Sequence, residues 1–366
     1  MTLVEFVDKN ATENIAAIIN LKPERLILIG KDRELAEACV RRYSRITEKR
    51  GLFVGYGTRV CDTGDLSKTV SVLVEIVNAY PDVAFDITGG ENAAVAAMGI
   101  VSERYSQRLI PLHNFSFSEN SISDKFRGVK LNAPKLSAEE NVISYGGKIV
   151  YEEEKSCATH RLVISDELFS DIEAVWRICK SSPKSWNTYI EALNSGKDTD
   201  IRITDELESF GVVKNGKYRS PETKRLFSKA GQILEMKIFK EIYELPEYND
   251  VINGAYIDWD GEVHLKRGNH DIENEIDVLA MSGMTPVFIS CKNGFVDMNE
   301  LYKLYTVAEN FGGKYAKKVL IISSIDVAKD NTAYFFSRAE AMGIKIISNL
   351  YDMADEELKE TVKKII

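Results

Sequence analysis

The chain has 366 residues, 44% of them apolar and 28% charged, an ordinary globular mixture long enough for two or three cored domains. Its net charge of −9 is unevenly spread: residues 1–150 carry 19 basic and 19 acidic side chains, residues 151–366 carry 28 and 37. That balance excludes a passive basic coat for nucleic acid, and five scattered cysteines without CxxC spacing exclude a disulfide framework and a structural zinc.

The opening MTLVEFVDKN turns polar too early for a signal peptide, and no run of about eighteen apolar residues follows anywhere. The expectation is a reduced, cytoplasmic protein without a membrane partner. Arg25–Gly30, RLILIG, reads as a buried strand stopped by glycine, and the following DRELAEACVRRYSRITEKRG as a helix ending on Gly51. LFVGYGTRV is a second strand, DLSKTVSVLVEIVNAYP a second helix, VAFDITGG a third strand, ENAAVAAMGIVSERY a third helix and QRLIPLHNF a fourth strand. This βαβ rhythm over residues 1–150 predicts a Rossmann-like parallel sheet with helices on both faces, with ligands bound beyond the carboxyl ends of the strands.

Residues 151–225 change character. Three short helical patterns precede VVKNGKYRS, whose Asn215-Gly216 marks a hairpin, so the segment reads as a winged-helix-like connector. Residues 226–366 begin with the helix SKAGQILEMKIFKEIYEL. Strand patterns VINGAYIDW, EVHLKR, NEIDVLAM and PVFISCKN come next, and helices alternate with the strands KKVLIIS and IKIIS to the end.

The chemistry is concentrated in the last segment. Glu275 and Asp277 share one face of a strand, as do Ser290 and Lys292 of the next, and SGMT between them is turn material. A hairpin turning at Ser282–Thr285 would set Asp277 opposite Ser290 and Glu275 opposite Lys292, with Cys291 facing into packing. Two carboxylates beside one lysine suit phosphodiester hydrolysis: a hard Mg²⁺ or Mn²⁺ ion takes one or two carboxylates with water and phosphate, and a lysine can orient the water. Glu235 could add a carboxylate from the preceding helix. Glu275 and Lys292 alone would also make an ordinary cross-strand ion pair.

The order helix Glu235, strand Asp277, short strand ending in Lys292 resembles the PD-(D/E)xK nuclease fold. The resemblance implies that Glu235, Asp277, Lys292 and the Cys291 backbone carbonyl form the catalytic and metal site, with Glu275 as a possible compensating ligand. Ser290 departs from the pattern, which expects an acid there.

In the first segment, Gly30, Lys31, Asp32 and Arg33 close the first recognised strand, and Thr88, Gly89 and Gly90 close the third, entering a helix near Asn92. Glycines admit close approach and helix amides favour phosphate. There is no GxGxxG, which argues against a nicotinamide cofactor, and either loop alone could be a tight βα turn. With TGG at its third strand, this segment resembles the CRISPR-associated Rossmann-fold sensor. The order of sensor, connector and nuclease resembles the CRISPR-associated nucleases activated by cyclic oligoadenylate. The resemblance implies a homodimer that binds cyclic tetra-adenylate across its twofold axis and cleaves single-stranded RNA or DNA, with nicking of duplex DNA as a further activity it could have. Asn92 stands where family members often have lysine, leaving phosphate contact to Lys31.

Lys314, Lys317 and Lys318 could touch the nucleic-acid backbone or belong to a solvated loop. His264 and His270, with Asp271 and Glu273, could form a second metal site or be surface histidines. A ligand-sensing transcription regulator would need a more basic recognition helix than SPKSWNTYIEALNSGK, and a ring nuclease would need a reactive group beyond Lys31, Thr88 and Glu91.

Overall fold

The structure, a computed structural model, describes residues 1–8, 10–156, 158–197, 199–262, 273–294, 296–324 and 332–365. It begins with a strand that the sequence pattern hides: β1 (Thr2–Phe6), buried along its whole length. There follow α1 (Ala11–Leu21), β2 (Arg25–Gly30), α2 (Arg33–Lys49), β3 (Gly55–Val60), α3 (Leu66–Ala79), β4 (Val83–Asp86), α4 (Asn92–Arg104), β5 (Leu112–Ser116), β6 (Ser121–Asp124) and β7 (Lys130–Asn132). The sheet runs β3-β2-β1-β4-β5-β6-β7, parallel from β3 to β5 and antiparallel beyond. The expected four strands are therefore seven. β1 is disguised by Glu5, the fourth residue of TLVEF, and β6 and β7 are too short to show a period.

Strand order reverses at β1. The loops leaving β1 and β4 flank the crevice where such sheets bind ligands. Residues of α1 and α2, such as Ile15, Ile18, Tyr43 and Ile46, pack on one face, and those of α3 and α4, such as Leu73, Ile76, Met98 and Val101, on the other.

The chain then crosses to a second sheet through α5 (Ala138–Ser144), which opens on a Ser137/Glu140 capping box, and β8 (Lys148–Ile149). Next come α6 (Asp166–Ser181), α7 (Pro183–Ser195), α8 (Ile201–Ser209) and the ribbon β9 (Val213–Lys214) and β10 (Lys217–Tyr218). Asn215 and Gly216 turn that ribbon at φ +52° and +68°, the paired positive values a type I′ turn requires. After α9 (Pro221–Phe227) and α10 (Gln232–Tyr243), the second sheet is built from β11 (Asp250–Asp258), β12 (Glu273–Ser282), β13 (Thr285–Lys292), β14 (Lys317–Ile322) and β15 (Ile344–Ser348). α11 (Met298–Gly312), α12 (Thr332–Ala341) and α13 (Asp355–Lys363) complete the fold. The order is β15-β14-β13-β12-β11-β8, with β13, β14 and β15 parallel and the rest antiparallel.

One apolar core joins the two sheets, running from Leu3, Ile15 and Tyr43 through Val142 to Phe288, Leu304 and Phe311. The opposite face of the second sheet is covered by α6, α7, α10 and α13, where Trp176 and Trp186 are buried as core residues. The expected strand EVHLKR, apart from Glu262, and the candidate residues His264, His270 and Asp271 lie outside the described residues. No helix among the described residues is long and apolar enough to cross a membrane.

Candidate active site

β12 and β13 pair from Ser282↔Thr285 to Val278↔Ile289, and the same register carried further sets Asp277 against Ser290 and Glu275 against Lys292. Beyond Val278 the ladder gives way to a side chain. The Cys291 amide donates to Asp277 Oδ2 at 2.6 Å, and the Ser290 hydroxyl donates to the same oxygen at 3.1 Å. Lys292 Nζ stands 3.6 Å from Asp277 Oδ2 and 3.2 Å from Glu300 Oε2 in the first turn of α11. Glu300 also binds Lys303 at 2.8 Å. Glu275 is exposed and accepts from Tyr256 Oη at 2.9 Å.

α10 lays Glu235 beside this strand end. Burial, then the Asp277 and Glu275 carboxylates, push its pKa up to about 8, against the pull of Lys292. Burial also raises Asp277, opposed by Lys292, the Cys291 amide and the Ser290 hydroxyl. For Lys292, burial lowers the pKa, but Asp277 and Glu300 outweigh it and leave the ammonium firmly charged. Cys291 is 6% exposed, its side chain lies in the apolar core, and burial pushes its thiol pKa well up, so its carbonyl is the group it can offer a hard cation.

Among the described residues, no group of three or more His, Cys, Asp or Glu side chains forms a metal cage. The available donors are Glu235, Asp277 and the Cys291 carbonyl. The Asp277 carboxylate raises Glu235, and the Glu275 carboxylate raises both, so the site is short of positive charge. Such an oxygen set suits a hard divalent cation whose shell is completed by water and phosphate. Ser290, in place of an acid, gives Asp277 a donor rather than a third repelling charge.

At the first sheet, Gly30 closes β2, and Lys31 Nζ meets Glu91 Oε1 at 2.5 Å across the crevice. Asp32 caps α2 by accepting from the Leu35 amide at 2.7 Å, and Arg33, its first residue, is exposed. The Thr88 hydroxyl donates to Asp86 Oδ1 and accepts from the Phe115 amide at 2.8 Å, so it shapes the loop. The Gly90 amide donates to Asp8 Oδ2 at 2.9 Å. Gly90 has φ +98°, and a Cβ there would meet Phe6 Cβ at 3.0 Å, while one at Gly89 would meet Asp8 Cβ at 3.0 Å. Asn92 is the exposed first residue of α4, whose N-cap Glu91 makes no side-chain capping bond.

The sequence reading missed Asp8, Asp86 and Glu300. Asp8 follows the hidden β1. Glu300 stands three residues after Asp297 in DMNE, a spacing that resembles an ordinary helix cap, yet its partners are Lys292 and Lys303. Lys314, Lys317 and Lys318 stand away from the Asp277–Lys292 site. Lys317 pairs with Val287 whereas Ile322 pairs with Lys292, which puts about 16 Å of strand between them. Lys314 binds Glu13 and Lys318 binds Glu309.

Fold and site together define an α/β protein in which a Rossmann-like sheet and a PD-(D/E)xK-type sheet share one core, with a winged-helix-like segment between β8 and β11 of the second sheet. No family model and no curated protein matches the chain. Solved structures do. It resembles Can2 from Sulfobacillus thermosulfidooxidans in complex with cyclic tetra-adenylate, at 16% identity and TM-score 0.73, over 100% of this chain and 99% of that one. It resembles protein VC1899 from Vibrio cholerae at 14% identity and TM-score 0.76, over 100% and 98%. A type III CRISPR defence DNA nuclease activated by cyclic oligoadenylate is similar at 13% identity and TM-score 0.55, over 92% of this chain and 52% of that one.

Proposed function

We propose that this protein is a metal-dependent nuclease of CRISPR defence, switched on by cyclic tetra-adenylate and acting on single-stranded RNA or DNA. Residues 1–150 are the sensor, apart from β8, which pairs with β11 in the second sheet; 151–225 are the connector and 226–366 the nuclease. The observation that carries the reading is Lys292 beside Asp277, with Glu235 close enough to couple electrostatically, at the open end of β12 and β13. Mg²⁺ or Mn²⁺, when bound, supplies Lewis-acid stabilisation of the scissile phosphate and an acidified water. Glu235, Asp277 and the Cys291 carbonyl hold the ion. Lys292 orients the water and offsets charge that develops on the phosphate. Ser290 and the Cys291 amide keep the Asp277 carboxylate aimed at the site.

The messenger sits over the crevice at β1 and β4. Its phosphates meet Lys31 and the uncapped start of α4, with Gly30, Arg33, Gly89 and Asn92 lining the approach. A fourfold-symmetric ring fits a twofold axis, so the working form is a homodimer. Ala96, Gly99 and Ile100 are exposed on α4, and a Cβ at Gly99 would meet nothing within 4 Å, which leaves room for a second copy to approach closely.

The test is cleavage of labelled single-stranded RNA and DNA with Mn²⁺, with and without cyclic tetra-adenylate. Asp277→Ala is expected to lower the rate about 1000-fold while messenger binding persists. Cleavage that is indifferent to Asp277 would place the chemistry elsewhere.

A further inference from the structure

The proposed nuclease centre and the proposed messenger loops are joined through one helix. The first turn of α11 carries Glu300, held to Lys292 at 3.2 Å. Its far end runs into Gly313, Lys314 and Tyr315, which are inserted against the β1–α1 connection of the other sheet. Tyr315 Oη donates to Glu13 Oε1 at 2.5 Å, and Lys314 Nζ binds the same oxygen at 2.9 Å. The Tyr315 ring stacks on Phe117 with centroids 3.4 Å apart. Gly313, at φ +55°, comes so near that a Cβ would lie 2.6 Å from Asn10 Oδ1.

The same β1–α1 connection holds the Thr88–Gly90 loop. Asp8 Oδ2 accepts from the Gly90 amide at 2.9 Å, while Asp8 Oδ1 accepts from the Asn10 amide at 2.8 Å. Contacts thus run from Gly90 through Asp8 and Asn10 to Gly313, and along α11 to Glu300 and Lys292. Leu301, Leu304, Val307, Ala308 and Phe311 bury one side of this helix in the shared core. Its 15 residues make about 22 Å of close-packed helix, which resists bending.

We infer that Glu300 is a positioning residue for Lys292, and that the sensor sets its position through Glu13, Tyr315 and α11. The inference rests on the proposed nuclease reading and names how that site is regulated. Lys292 is shared between two carboxylates and lies nearer Glu300 than Asp277. A small shift of α11 changes that division, and with it the charge available to the scissile phosphate. Glu300 acts here through Lys292 alone.

The experiment uses the full chain, with cyclic tetra-adenylate as the probe. It reads messenger binding, kcat and KM with and without messenger, and hydrogen exchange over residues 298–312. Glu13→Gln and Tyr315→Phe are expected to bind messenger within about threefold of wild type while its stimulation of cleavage falls about tenfold. Glu300→Gln is expected to lower kcat about tenfold at unchanged KM, with Glu300→Asp recovering part of the loss. In the wild type, messenger should alter exchange at the start of α11, and Glu13→Gln should abolish that change. Messenger binding that leaves exchange over α11 untouched, or full stimulation in both Glu13→Gln and Tyr315→Phe, overturns the relay alone. Failure of the wild type to bind cyclic tetra-adenylate overturns the functional reading, and the relay with it.

Discussion

Each sheet buries a pair of acids, and the two pairs are built to opposite ends. In the first sheet, Glu5 and Asp86 lie side by side in β1 and β4, 0% and 2% exposed. Neither Glu5 oxygen, nor Asp86 Oδ2, finds a hydrogen-bond partner among the described residues. Burial, then the Asp86 charge, pushes Glu5 well up, and burial raises Asp86 to about 7. At the second sheet, Asp277 on β12 and Glu235 on the adjoining α10 are also driven up by burial, but Asp277 keeps a lysine, a hydroxyl and an amide on one oxygen, and 13% of its side chain reaches solvent. Burial alone therefore does not mark chemistry. The sealed pair can only hold protons. The pair flanked by a cation and open at the strand ends is the one proposed to take a metal and a phosphate.

The sharpest way to break this contrast is to remove the cation. Lys292→Met should slow cleavage about 100-fold in single-turnover assays while messenger affinity stays unchanged. A loss under about threefold would make Lys292 a structural ion pair and erase the difference between the two acid sites.

The second test addresses the sealed pair. Its folded pKa values lie above the ordinary 4.5 and 3.8, so the folded state keeps protons that the unfolded state releases. Their contribution to stability is complete below the ordinary carboxylate range and is lost as pH rises to about 7, the folded value of Asp86. The loss carried by Asp86 is on the order of a few kcal/mol. Glu5→Gln should raise the melting temperature at about pH 8 and flatten its fall between about pH 5 and pH 8. An unchanged slope would mean that the pair is not protonated in the fold.

These two sites differ in how far the sequence disclosed them. Asp277, Ser290 and Lys292 were legible because strand alternation and a four-residue turn fix which side chains face each other, and the register agrees with that reading. β1 was not legible, because Glu5 interrupts its apolar run and the partner that explains it, Asp86, is 81 residues away. What depends directly on β1 was lost with it: the strand order and Asp8 beneath Gly90. The Asn215-Gly216 ribbon was readable from two residues, since few sequences tolerate two positive φ angles in succession.

A third test makes the open site more acidic. Ser290→Asp removes a donor to Asp277 and adds a carboxylate at the position where an acid is expected by resemblance. The variant should bind Mn²⁺ more tightly by calorimetry, about tenfold, and melt lower than wild type when Mn²⁺ is withheld. Weaker Mn²⁺ binding would mean that the hydroxyl, rather than the missing charge, organises the ligands.

The smallest effects are expected where charge is exposed. Lys31 and Glu91 meet at 2.5 Å, but both are about half exposed, so breaking the pair should leave the melting temperature unmoved. Its consequence lies in messenger binding, and the two partners should act with opposite sign. Glu91 is negative at the start of α4, where a phosphate would be drawn, and it also neutralises Lys31. Lys31→Ala should weaken cyclic tetra-adenylate binding, and Glu91→Gln should strengthen it, each by about two- to fivefold at low salt. Both changes should shrink as salt is raised, because the charges are screened by solvent. Equal weakening by the two substitutions would show that the ion pair itself shapes the loop. The messenger phosphate would then have to be held elsewhere in the crevice, nearer the amides of Asn92 and Ala93 at the start of α4.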